Sequence, residues 1–152
     1  GDFNRIEENA KYLKDYCLMW YEPSDEILLE SLAQKSVSSE TYKTMKTFRL
    51  AYPGRYKVTF EARRDDVTGA WVPVHARIYV FTQAQAVELT ASWRTYTITG
   101  TVTSPLTTLN IQGSGKKTAP PTTHSEPLAV YIRNVRIYAS PAPMHSSTFT
   151  LD

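Results

Sequence analysis

Apolar side chains return at every second position through most of this chain, and that period constrains the fold more than any other feature. Tyr56, Val58, Phe60 and Ala62 alternate with Arg55, Lys57, Thr59, Glu61 and Arg63. A period of two places alternate side chains on opposite sides of an extended backbone, so this segment is a strand with one buried and one wet face. It is entered through a turn at Pro53-Gly54. Val72, Val74, Ala76, Ile78 and Val80 repeat the pattern and leave His75, Arg77, Tyr79 and Phe81 on the other side. Tyr96, Ile98, Gly100 and Val102 make a third strand, and Leu109 with Ile111 a short fourth. Over residues 128–138, Val130 and Ile132 are in phase while Val135 and Ile137 are one step out, which a β-bulge at Arg133-Asn134 would restore.

Less regular strands are expected over residues 27–32 and 42–50, about seven or eight in all. No helical stretch separates them, so the sheets are expected to be antiparallel and to form a sandwich or jelly roll over residues 25–139. Residues 113–127, with Gly113-Ser114-Gly115-Lys116-Lys117, read as the one long flexible loop. Residues 140–152, carrying Pro141 and Pro143, read as a tail or linker.

The first twenty or so residues follow a different period. Asp2 suits a helix N-cap, and Phe3, Ile6, Ala10, Leu13, Cys17 and Trp20 follow at spacings of three and four. The spacing predicts one α-helix over residues 1–21, closed by Pro23. Its apolar seam has two readings: it packs on the helix's own domain, or it is an oligomerisation segment.

Composition narrows the function. A formal net charge of +2, with cations and acids evenly mixed, offers no basic stripe for nucleic acid. No apolar stretch reaches 18 residues, so membrane insertion is not expected. One cysteine allows no intrachain disulfide and no multi-cysteine zinc site. Of fifteen Asp and Glu residues only Glu88, Glu126 and Asp152 lie beyond Asp66, which leaves few carboxylates to face one another across a substrate. The pair Asp65-Asp66 before Gly69 reads as a solvated turn. His75, His124 and His145 lack ligand spacing, and there is no GxSxG elbow or phosphate loop. The chain is therefore read as not an enzyme.

What remains is a surface. His75, Arg77, Tyr79, Tyr131, Arg133 and Tyr138 fall on the non-core sides of predicted strands, with Asn110, Gln112, Thr97 and Glu61 as polar lining. Aromatic rings cover the C–H faces of a pyranose, and Arg, Asn and Gln satisfy its hydroxyls. The same residue types are also ordinary occupants of solvent-facing strand positions. Trp71, at a loop-to-strand boundary, is a candidate sugar platform, whereas Trp93 reads as core.

Two family resemblances follow from these residues. The opening Asp2-Phe3-Asn4-Arg5-Ile6-Glu7-Glu8-Asn9, continuing through Lys11-Tyr12-Leu13, resembles the helical segment of bacteriophage and prophage tail or baseplate-associated proteins. Residues 25–139 resemble a jelly-roll carbohydrate-binding module, or galactose-binding-like domain. They do so through Pro53-Gly54-Arg55-Tyr56, Trp93-Arg94-Thr95-Tyr96 and Val130-Tyr131-Ile132-Arg133-Asn134. Together the resemblances imply a non-enzymatic, virion-located tail component, a homotrimer among other tail proteins, whose β domain meets host-surface glycans. The alternative they leave is a monomeric extracellular carbohydrate-binding module appended to a polysaccharide- or cell-wall-degrading enzyme. No cofactor is expected. Calcium, common in such modules, would have to draw on Asp25, Glu26, Asp65 and Asp66, and these place no site.

Overall fold

The computed structural model describes residues 19–120 and 124–143, and the side chains of 20–120 and 124–140. In chain order its strands are β1 (Met19–Ser31), β2 (Lys35–Ser38), β3 (Lys43–Leu50), β4 (Gly54–Arg64), β5 (Val72–Tyr79), β6 (Val87–Glu88), β7 (Arg94–Val102), β8 (Thr107–Thr118), β9 (Ser125–Pro127) and β10 (Ala129–Pro143). One sheet has the order β2-β10-β1-β4-β7, with β10 also paired to β4; the other has the order β3-β8-β5-β6, with β9 on β8. Among the described residues the pairings are antiparallel apart from a single parallel bridge between Tyr21 and Gly54.

The alternation in β4 does what its period requires. Tyr56, Val58, Phe60 and Ala62 are almost wholly buried, and they meet Ile98 from β7 and Val130, Ile132, Val135 and Ile137 from β10 in one core. From the second sheet Phe48, Leu50, Ile78, Leu109 and Ile111 close on that core, making a two-sheet sandwich. Each buried Val, Leu, Ile or Phe contributes roughly 1.5–3 kcal/mol by leaving water. The bulge expected at Arg133-Asn134 is present. The β10–β4 register shifts between Arg133 and Arg136, and Asn134 takes a left-handed φ of 53° that Asn tolerates better than most residues.

Other expectations are corrected. Residues 1–18 of the predicted helix lie outside the described residues, including Phe3, Ile6, Ala10, Leu13 and Cys17. Trp20 and Tyr21 are in β1, opposite Ala142 and Pro141, and Pro23 lies inside the strand it was expected to precede. Tyr21 reaches Gly54, whose φ of 151° and lack of a Cβ admit the Tyr21 backbone at a distance where a Cβ would meet its carbonyl oxygen at 2.2 Å. Residues 113–118 are not loop but the second half of β8, followed by the short β9. Both glycines there are buried: Gly113 lies beneath Met45 and Val130, and Gly115 against the Leu128 carbonyl. The tail assigned from residue 140 starts within β10, which runs to Pro143.

Val72 and Val74 were expected to be core, yet they are 48% and 51% exposed. The β5–β8 register shifts between Pro73 and His75, so the first half of β5 is out of phase with the half that carries Ala76 and Ile78. Lys46 is 7% exposed and among the described residues has no carboxylate partner; its Nζ donates to Ser31 Oγ and to the Ala33 carbonyl, each at 2.7 Å, and burial lowers its pKa.

Candidate functional site

The residues expected to form one sugar-binding face lie on different sheets. His75, Arg77 and Tyr79 are on β5, while Tyr131, Arg133 and Tyr138 are on β10 of the other sheet. Period-two parity correctly turned all six away from the core, but parity cannot tell one sheet from the other.

On the first sheet the outward residues form a closed network. The Arg133 guanidinium lies 3.9 Å from the centre of the Trp93 ring, and Arg63 stands 4.3 Å over Tyr131 and 5.4 Å over Trp93. Trp93, expected in the core, is instead half-buried on this outer surface. Arg133 pairs with Glu61 at 3.1 Å, and the bulge residue Asn134 donates to the other Glu61 oxygen. These two donors, Asn134 first, hold the Glu61 carboxyl below the usual carboxylate range. Tyr131 donates to Asp65 at 2.8 Å, and Lys57 sits between Asp25, 3.8 Å away, and the Tyr138 ring at 4.6 Å. Aromatic faces here are occupied by the chain's own cations, so they are not bare platforms.

Trp71 is in a third place, before β5, with Lys117 Nζ 5.0 Å from its ring centre and the His124 ring 5.9 Å away. His124 in turn meets Glu126 at 3.3 Å. Among the described residues no three His, Cys, Asp or Glu side chains are grouped to hold a metal ion. Of the carboxylates expected for calcium, Asp25 faces Lys57, and Asp65 accepts from Tyr131 with Arg63 4.0 Å away.

The second sheet is different. His75 Nε2 lies 2.8 Å from Ser114 Oγ, and Arg77 pairs with Glu88, which holds its guanidinium more firmly charged. Tyr79 donates to Gln112 Oε1 at 2.7 Å because β5 and β8 place the two opposite one another. Gln112 Nε2 reaches Thr44 Oγ1 at 3.4 Å, and Thr47 donates to Asn110 Oδ1 at 2.9 Å. Tyr42 meets Tyr79 edge-on, with ring centres 4.7 Å apart and an interplanar angle of 87°.

Beside this network lies a cleft of about 430 Å³, where the β7–β8 connection faces β8 and the end of β5. Its volume falls within the roughly 300–1,000 Å³ typical of small-molecule sites. Val80, Phe81, Val102 and Leu109 give it apolar surface. The other eight lining residues among those described are Tyr79, Thr101, Thr103, Ser104, Thr107, Thr108, Asn110 and Gln112. Each of the eight carries a hydroxyl or an amide, and none is charged. The Asn110 amide accepts from Thr47, and among the described residues its NH₂ group has no acceptor, so it can donate to a ligand. Of the expected residues Tyr79, Asn110 and Gln112 come together here. Thr101, Thr103, Ser104, Thr107 and Thr108 were not among the expected residues; outward alternation beside Val102 and Leu109 is the signal for Thr101, Thr103 and Thr108, and Ser104 and Thr107 have none.

No protein-family model matches the chain, and no curated protein matches it. Among solved structures, one described as "CBM4 structure and function" is similar at 18% identity and a TM-score of 0.40, covering 84% of this chain and 83% of that one. A likeness that remote carries no argument about this chain. The resemblance to tail proteins rests on residues 2–13, outside the described residues.

Proposed function

We propose that this chain is a non-catalytic, jelly-roll carbohydrate-binding module whose ligand is a neutral glycan held in the cleft beside Tyr79. The observation that carries the reading is the lining: hydroxyls and amides over apolar patches, with no charged side chain among the described residues. A polyol offers many hydroxyl donors and acceptors and C–H faces but no charge, so this lining complements it. A phosphate, carboxylate or ammonium ligand would find no counter-ion there. Tyr79, steadied by Gln112 and Tyr42, lines the cleft with a side chain already fixed in place, which reduces the ordering cost of binding.

Calorimetry against neutral oligosaccharides tests this, using the wild type and Asn110→Ala. The variant changes a half-buried polar side chain and is expected to fold, which circular dichroism checks. Binding in the wild type, weakened about tenfold in Asn110→Ala by loss of one or two hydrogen bonds, is expected. Failure of every neutral glycan to bind, or equal affinity in the variant, would sink the proposal. Display of this module as a trimer on a phage tail rests on the segment from Asp2 to Leu13, and light scattering tests it: a monomeric mass counts against it.

A further inference from the structure

The outward side chains of β7 form a single row of one residue type. Thr95, Thr97, Thr99 and Thr101 alternate along the strand, Thr103 continues the alternation just past its end, and all five are exposed. The inward positions between them hold Tyr96, Ile98 and Gly100, opposite Phe60, Val58 and Tyr56 of the core strand. Pairing with β4 runs from Arg94 to Val102 with no register shift, so the threonines keep the pitch of the strand. That spacing is about 6.8 Å, twice the strand rise, and Thr95 to Thr103 spans about 27 Å. Among the described residues, none of the five hydroxyls is engaged by another group of the protein.

The row ends in the cleft, because Thr101 and Thr103 are among its lining residues. Each threonine presents a hydroxyl that can both donate and accept and a methyl that can lie against C–H groups. Its branched Cβ already restricts χ1, so little side-chain freedom is lost when a ligand settles on it. The neighbouring charged row on β4 is partly neutralised, Lys57 by Asp25 and Glu61 by Arg133. A track that is uncharged, hydroxylated, evenly spaced and continuous with a hydroxylated cleft suits an extended uncharged polymer.

Resting on the reading of the cleft as a glycan site, we infer that its ligand is a linear neutral polysaccharide whose continuation lies along β7 on the threonine row, parallel to the strand. The test is the Thr97→Val, Thr99→Val double variant. It removes two hydroxyls while keeping branched side chains at exposed strand positions, so stability should hold within about 0.5 kcal/mol. Calorimetry uses cello-, manno- and xylo-oligosaccharides from disaccharide to hexasaccharide. For the series that binds, wild-type affinity should rise at least tenfold from disaccharide to hexasaccharide. The double variant should lose about tenfold for the hexasaccharide and nothing for the disaccharide. Disaccharide binding with a hexasaccharide affinity that the variant leaves unchanged would overturn the threonine track and keep the cleft. No binding at any length would overturn the cleft, and the track with it. A wild-type dimer in light scattering that the double variant dissolves would assign the row to a second copy of the chain and overturn the proposal.

Discussion

Replacing Gly115 by alanine separates a packed strand from a flexible loop by the sign of its effect. A Cβ at this position would stand 2.1 Å from the Leu128 carbonyl oxygen and 3.2 Å from the Leu128 Cβ. A carbon and a carbonyl oxygen approach to about 3.3 Å at best, so one backbone must move by roughly 1 Å. Neither can move freely. Leu128 is 1% exposed, its N–H donates to the Gly115 carbonyl at 3.0 Å, and the Gly115 N–H donates to the Ser39 carbonyl at 2.8 Å. Overpacking a filled site costs about 1–3 kcal/mol, and loosening one backbone hydrogen bond about 0.5–1.5 kcal/mol. Alanine returns about 0.4–1 kcal/mol by restricting the unfolded chain. The net expectation is a loss of about 2 kcal/mol, or roughly 6–8 °C in Tm for a domain of this size. Differential scanning calorimetry on the two proteins reads it. A Tm equal to or above that of the wild type, as a mobile Gly-Ser-Gly loop would give, refutes the placement of residues 113–118 in the core-facing strand.

Two further predictions concern pH. The Tyr56 hydroxyl donates to the Tyr52 carbonyl, and burial, with Tyr21 beside it, pushes its pKa far above the ordinary tyrosine value; Tyr21 is raised as well. The folded values are the higher ones, so this stability is intact below about pH 10 and is lost as pH rises from there toward the folded pKa. Urea midpoints between pH 9 and 11.5 should therefore fall. The fall should be shallower in Tyr56→Phe, which should also be about 1 kcal/mol less stable at pH 7; identical slopes would contradict the account. Glu61 is the opposite case: Asn134 and Arg133 depress its pKa, so its contribution is present above the ordinary carboxylate range and is lost as pH falls through the folded value. Because its side chain is 28% exposed, solvent screening limits Glu61→Gln to a loss of about 1 kcal/mol or less. The variant should show a flatter acid unfolding curve between pH 5 and 2, and an unchanged curve would remove the bulge network from the stability account.

The sandwich was legible wherever one strand buries one face. β4, β7 and β10 show it in their alternation, and even the break in phase before Val135 announced the bulge at Asn134. Legibility failed where burial depends on a distant partner. Gly113 and Gly115 resemble loop residues in sequence, but they are glycines because Met45, Val130 and Leu128 fill the space that their side chains would need. Val72 and Val74 continue an apolar alternation, yet a register shift carries them beyond the core. The candidate site was half legible for the same reason. Alternation put Tyr79, Arg133 and Tyr131 outside, but the assignment of β5 and β10 to different sheets is a non-local pairing with no signature in either strand. Trp93 read as core by residue type; two guanidiniums that cover its ring explain how a tryptophan is kept on an outer surface.

An amide chemical-shift map of ¹⁵N-labelled protein titrated with a neutral hexasaccharide tests the central claim most directly. Saturable shifts centred on Tyr79, Thr108, Asn110 and Gln112 and continuing along residues 97–101 are expected. Shifts gathered instead around Trp93, Tyr131 and Arg133, or none at millimolar ligand, would contradict it.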